Sequence, residues 1–310
     1  MKKFVLYYVQ KFAVSAVLVG FGSCTFDDAD VAYPELSVSF TYQDYIRNIV
    51  VGEGLKLNVG VTFAGVLDNQ EERTVNYVVD PSLVTAAGKS VLPPAYYALG
   101  HPSQIVIPKG QLKGYLPVVL DSAAFLADPK SVTGEYILPI RLESVTDTSV
   151  SVNADKDFIR ISLSYFGKHQ AYYYYSGVVD RVMDGVTYAS TPYAYIRTET
   201  DSRRFLETAG PARFRMVADD KNAADPAGTV RFMIDVPVDG SSVTIVPDLA
   251  SPFEVRPDGT STYNPDTRTF HLQYAWTLDD GTVCRAVEDL VFRNRIRDDQ
   301  GNSIYINEWW

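Results

Sequence analysis

The chain has 310 residues, a formal charge of −10, and 38 acidic side chains against 28 basic ones. Such a chain gathers no phosphate by general attraction, which argues against a nucleic-acid partner. A hydrophobic fraction of 46% with 21% charged residues excludes a disordered class and leaves room for two ordinary cores.

Lys2 and Lys3 open the chain, and an apolar run follows from Phe4 to Val9 and from Phe12 to Phe21. The break at Gln10-Lys11 leaves that run short for a bilayer core of about 30 Å. Basic start, apolar middle and small residues Gly22-Ser23 together read as a secretory signal. Cys24 directly after them indicates a bacterial lipoprotein signal over residues 1–23, in which the Cys24 thiol is acylated and becomes the mature N-terminus. Leu18 to Cys24 is a loose form of the acylation box, with Phe21 where Leu is usual. An ordinary secretory signal with an incidental Cys24 is the other reading. Removing the signal takes away Lys2, Lys3 and Lys11 and no acid, so the mature chain stands near 25 − 38 = −13. Covalent lipid is therefore what would hold this acidic chain at a membrane.

Residues 24–34 read as an acidic tether carrying Asp27, Asp28 and Asp30. From Leu36 onward the pattern has the period of strands. Leu36, Val38 and Phe40 alternate with polar residues, as do Leu55, Leu57, Val59 and Val61, and then Val75, Tyr77 and Val79. Ile105 to Ile107, Gly114 to Leu120, Tyr136 to Leu142 and Phe158 to Leu163 continue the series, with one helical turn over Ser122 to Ala127. About seven short strands at regular spacing predict an immunoglobulin-like β-sandwich over residues 35–166.

Gly167-Lys168-His169 marks a boundary. Residues 167–310 begin with Tyr172 to Tyr175, whose rings alternate between two faces. One pair packs in a core; the other faces solvent or covers the junction. Further strands are expected over Thr187 to Arg197, Ala212 to Val217, Val230 to Val236, Ser242 to Val246, Phe253 to Arg256, Thr269 to Leu278 and Thr282 to Arg293. Asp184-Gly185, Asp239-Gly240, Asp258-Gly259 and Asp279-Asp280-Gly281 are hairpin turns between them. The meander predicts an antiparallel β-barrel or a second sandwich. The fold class is thus all-β.

Chemistry-bearing motifs are sparse. His101, His169 and His271 are widely separated, which argues against zinc. Asp219, Asp220, Asn222 and Asp225 do not have the spacing of an EF-hand, so they read as solvated loop acids. No Gly-x-Ser-x-Gly elbow and no phosphate cradle is present. The expectation is no catalytic residue, no metal and no cofactor. Cys284 sits in an alternating stretch and reads as a buried free thiol, with a Cys24–Cys284 disulfide as the alternative. For binding, a carbohydrate platform needs flat exposed rings beside hydrogen-bonding groups. The candidates are Trp276, Trp309, Trp310, Tyr193 and Tyr195, and for each of these rings a core position is the competing reading.

Four strings carry a family resemblance: Tyr77-Val78-Val79-Asp80-Pro81-Ser82-Leu83-Val84, Tyr96-Tyr97-Ala98-Leu99, Ile107-Pro108-Lys109-Gly110 and Tyr136-Ile137-Leu138-Pro139-Ile140-Arg141-Leu142. In this order they resemble the N-terminal domain of surface lipoproteins of gut Bacteroidetes, a domain of unknown function. Phe270-His271-Leu272-Gln273-Tyr274 and Glu288-Asp289-Leu290-Val291-Phe292-Arg293 resemble the β-rich domain that often follows it. The resemblance implies an accessory glycan-binding lipoprotein of a starch-utilisation-type uptake system, similar in role to the SusE and SusF class. It implies outer-membrane transporter subunits as partners and a calycin-like second domain. It also implies that Asp27, Asp28 and Asp30 direct the anchored chain to the outer face of the outer membrane. A structural or adhesin-like lipoprotein that engages proteins by its sheet edges is the alternative, and a glycoside hydrolase the second one.

Overall fold

The computed structural model describes residues 35–194, 204–218, 230–237 and 242–294. The first part of the chain forms β1 (Ser37–Phe40), β2 (Asp44–Val50), β3 (Lys56–Ala64), β4 (Arg73–Val79), β5 (Ser90–Val91), β6 (Tyr97–Leu99), β7 (Gln104–Ile107), β8 (Lys113–Leu120), β9 (Tyr136–Val145), β10 (Ser151–Val152) and β11 (Phe158–Phe166). They make two sheets, in the orders β10-β1-β3-β8-β6 and β2-β11-β9-β4-β7, with β5 added on β9. The alternation seen in the sequence does this. Along β8 every second residue, Gly114, Leu116, Val118 and Leu120, is buried and its neighbours face water. Val38, Phe40, Val59, Val61, Leu138, Ile140, Ile161 and Leu163 from both sheets meet in one core. Two short helices follow β8, α1 (Ser122–Ala127) and α2 (Lys130–Thr133); α1 supplies the buried Phe125, which packs edge-on against Tyr165. Burying a ring of that size contributes about 1.5–3 kcal/mol.

The second part forms β12 (Ala171–Met183), β13 (Val186–Ala194), β14 (Arg204–Thr208), β15 (Arg213–Val217), β16 (Arg231–Asp235), β17 (Ser242–Pro247), β18 (Arg256–Pro257), β19 (Ser261–Asn264), β20 (Thr269–Thr277) and β21 (Val283–Asn294). The run β12-β14-β15-β16-β17-β19-β20-β21 returns to β12 and closes a barrel of 8 antiparallel strands. Closure removes the free edges that a second sandwich would keep. β13 and β18 lie outside the ring, on β12 and β20. The reversal between β12 and β13 is made by Asp184 (φ 51°) and Gly185 (φ 79°), the positive-φ pair expected of Asp-Gly in a tight hairpin. The barrel interior holds Tyr173, Tyr175, Phe214, Phe232, Phe270, Tyr274 and Trp276. It shares no residue with the core of the sandwich, which ends at Tyr165.

The strands depart from sequence expectation at β2, β14 and β19, and at the short β5, β6 and β10. β2 has no apolar alternation at its start, because Asp44, Asn48 and Arg47 interrupt it, and it went unseen. β14 and β19 are too short to show a period.

Candidate functional site

A groove lies in the sandwich where the chain changes sheets. β1 pairs with β3 through Val61 to Ala64. At Phe40 the chain leaves that sheet, crosses over Thr41 to Gln43, and resumes as β2, parallel to β11. Arg160 fixes the new start: its Nε and Nη2 donate to the two oxygens of Asp44 at 2.7 and 2.6 Å. β3 meanwhile continues along β8 from Lys56 to Thr62. Residues 56–60 of β3 therefore extend past the end of β1, and a groove of about 410 Å³ sits beside them.

Its lining comes from both sheets: Thr41, Tyr42, Tyr45 and Arg47 from the crossover and β2, Ile159 and Ile161 from β11 beside it, and Lys56 to Gly60 and Pro117 to Val119 from β3 and β8 of the other sheet. Tyr45, Arg47 and Ile49 alternate onto one face of β2. Ile49 reaches the core, while Tyr45 and Arg47 line the groove. The turn into β3 contributes Glu53 and Gly54, and it needs glycine at positions 52 and 54, where φ is 92° and 105°.

Tyr42 and Tyr45 stack with centroids 6.3 Å apart and planes 19° from parallel. They are 62% and 40% exposed. Two large rings held near-parallel in water lose the gain of burial, and such patches mark binding surfaces. Flat rings with Asn58, Arg47, Glu53 and Lys56 around them offer what a sugar requires: a face for C–H groups and donors and acceptors for hydroxyls. Beside the groove, the Arg160 guanidinium holds the Asp44 carboxyl below its usual range, so both stay ionised and keep β2 in place.

Of the rings singled out in the sequence, Trp276 and Tyr193 fall elsewhere. Trp276 is 0% exposed inside the barrel, stacked 6.0 Å from Tyr274 and opposite Cys284. It fills the barrel interior and cannot serve as a solvent-facing platform. Tyr193 is half-buried, 5.8 Å from the Tyr175 ring, and lies over Gly177. Gly177 is required there, since a Cβ would overlap the Tyr193 hydroxyl and the Val287 carbonyl. Tyr195, Trp309 and Trp310 lie outside the described residues, as do Cys24, Asp27, Asp28 and Asp30, and the loop acids Asp219, Asp220 and Asp225. Cys284 is buried and free, and burial pushes its thiol up.

Among the buried polar groups of the barrel, Glu288 is one that the sequence did not reveal. Glu288 is 0% exposed and accepts hydrogen bonds from Tyr274 Oη at 2.8 Å and Arg204 Nε at 3.0 Å. The Arg204 guanidinium lies 4.5 Å from the centre of the Tyr175 ring. Burial, then the Glu288 charge, pushes the Tyr274 hydroxyl well above its usual value. Enclosed this way, the group joins three strands together.

Tyr42 and Tyr45 were missed because the sequence offers no strand there. The pair Tyr-x-x-Tyr is a weak signal, and what exposes it is the change of sheet at Phe40.

Comparison with known proteins gives a fold and little else. A family model described as an N-terminal domain matches residues 30–149. No curated protein matches the chain. Among solved structures, a protein of unknown function from Bacteroides ovatus is similar with a TM-score of 0.70 at 20% identity, over 85% of this chain and 96% of that one. A second protein of unknown function from Bacteroides ovatus has a TM-score of 0.45 at 13% identity, over 86% of this chain and 99% of that one. An auxiliary nutrient binding protein from Bacteroides thetaiotaomicron VPI-5482 has a TM-score of 0.41 at 16% identity, over 79% of this chain and 89% of that one. The first of these likenesses extends the two-part, all-β architecture to another protein.

Proposed function

We propose that this protein is a non-catalytic binding protein that holds a glycan in the groove of its sandwich. The observation that carries this reading is the exposed Tyr42–Tyr45 stack beside Arg47, Glu53, Lys56 and Asn58. Affinity comes from ring stacking and hydroxyl hydrogen bonds, with no bond made or broken. A hydrolase would need two carboxylates across a cleft, and among the described lining residues Glu53 is the one carboxylate.

The address is part of the proposal. Residues 1–23 act as a lipoprotein signal, Cys24 carries the lipid, and residues 24–34 with Asp27, Asp28 and Asp30 form a tether to the sandwich at residues 35–166 and the barrel at 167–310. The chain stands on the outer face of an outer membrane of a Bacteroidetes-type cell, beside an uptake transporter that it supplies. The residue pattern around Cys24 and the family resemblance support this placement.

The test is affinity electrophoresis of the mature chain through a panel of plant, host and microbial polysaccharides. Retardation by at least one of them, lost in Tyr42→Ala and Tyr45→Ala with an unchanged Tm, is the expected result. A mature chain that no polysaccharide retards would end the carbohydrate reading. Fractionating cells that carry Cys24→Ser tests the address, since the variant should leave the membrane fraction.

A further inference from the structure

We infer that the groove selects an anionic saccharide, one whose sugar carries a carboxylate or a sulfate ester, over a neutral one. The inference rests on the carbohydrate reading above and adds the charge of the ligand.

The argument begins with composition. Acidic side chains outnumber basic ones 38 to 28 in this chain, so three charged residues gathered without selection would lean acidic. The groove leans the other way. Arg47 and Lys56 both line it and Glu53 is the one acid among its described lining residues, so its formal charge is 2 − 1 = +1. The cations come from separate elements, β2 and β3, which belong to different sheets of the sandwich. The fold has thus brought two positive groups to one cleft, where sequence distance alone would not.

A neutral sugar needs no such charge. Its hydroxyls are satisfied by uncharged donors and acceptors, such as those of Asn58 and Thr41. An anionic substituent gains from a guanidinium or an ammonium, because a charge-assisted hydrogen bond is about twice as strong as a neutral one. Placement beside aromatic rings matters as well. A pyranose stacked on Tyr42 or Tyr45 presents its equatorial substituents sideways, toward the rest of a lining that includes Arg47 and Lys56. The surrounding negative charge of the protein repels an anion at long range, so the local cations also mark where such a ligand is admitted.

The experiment uses the mature chain and two matched pairs of probes. One pair is an oligogalacturonide and its carboxyl-reduced neutral counterpart; the other is a sulfated galactan oligosaccharide and its desulfated form. Titration calorimetry should show the charged member of at least one pair binding about tenfold or more tightly than its neutral partner, the size of one lost charge-assisted hydrogen bond. The pair that shows the difference identifies the anion. Raising salt from about 0.05 M to about 0.5 M shortens the screening length about threefold and should weaken that binding. Arg47→Gln and, independently, the exposed Lys56→Gln should each reduce affinity for the charged probe more than for its neutral partner. Equal affinity within both pairs, or binding indifferent to salt and to both substitutions, overturns the inference. If both pairs fail while a neutral polysaccharide is retained in a Tyr45-dependent way, the charge selection is wrong and the carbohydrate reading stands. If nothing is retained, both fall together.

Discussion

The sandwich and the barrel both bury aromatic side chains, and the sandwich also holds a stacked pair of them in water. In the barrel, Tyr173, Tyr274 and Trp276 are 1% exposed or less, because closure leaves one interior and large rings are what fill it. In the sandwich, Tyr42 and Tyr45 stay in water, because a strand that changes sheets cannot cover the whole length of its neighbour. The lesson is that ring type says little about binding. The topology around a ring decides whether it is filler or surface.

Substitutions can test that contrast, and the largest effect belongs to the barrel. Trp276→Ala empties a site with no exposure and should cost about 3–5 kcal/mol, read by chemical denaturation, while leaving glycan retention at the groove intact. Lost retention at unchanged folding of the sandwich would break the separation drawn here. Next in size is Gly177→Ala, which forces Tyr193 and the Val287 carbonyl apart. It should cost about 1–3 kcal/mol by the same measurement.

Acid should separate the two parts by a smaller margin. In the sandwich, hydrogen bonds from Arg160 hold the Asp44 carboxyl low. Those from Ser82 and then Arg141 do so for Asp80, and those from Tyr136 and then the Lys130 amide for Asp128. A carboxyl whose folded pKa is depressed binds fewer protons when folded. Its contribution is therefore whole above the ordinary carboxylate pKa of about 4 and fades as pH falls through the depressed value. In the barrel, burial opposes the lowering of Asp248, which the Ala250 amide and Arg215 carry. Calorimetry at pH 7 and about pH 3 should show the sandwich transition falling further than the barrel transition. The smallest effect on stability belongs to the groove itself. Tyr42→Ala should change unfolding free energy by no more than about 0.5 kcal/mol, the scale of a surface position, whatever it does to binding.

Most of the fold was legible, and the site was not, for a physical reason. Strands such as β8 and β20 announce themselves because one face must be apolar and the other wet, which writes a period of two into the sequence. Asp184-Gly185 announces its hairpin because few other pairs tolerate positive φ. The groove depends instead on where β1 stops, which is a relation between three strands distant in sequence. The Trp276 platform failed for the same reason: its neighbours Cys284 and Tyr274 are brought to it by barrel closure. Glu288 stood in a strand among apolar residues, and only its partners on β14 and β20 explain how a carboxylate can be sealed there.

The buried thiol of Cys284 gives the barrel a built-in clock. It is solvent-free, opposite Trp276, and pushed away from its reactive thiolate by burial. An alkylating reagent therefore reaches it when the barrel opens. The labelling rate at increasing reagent concentration measures first the fraction of time the barrel spends open and then the rate at which it opens. A ligand seated in the sandwich should leave that rate untouched; if it slows labelling, the two parts of the chain open together.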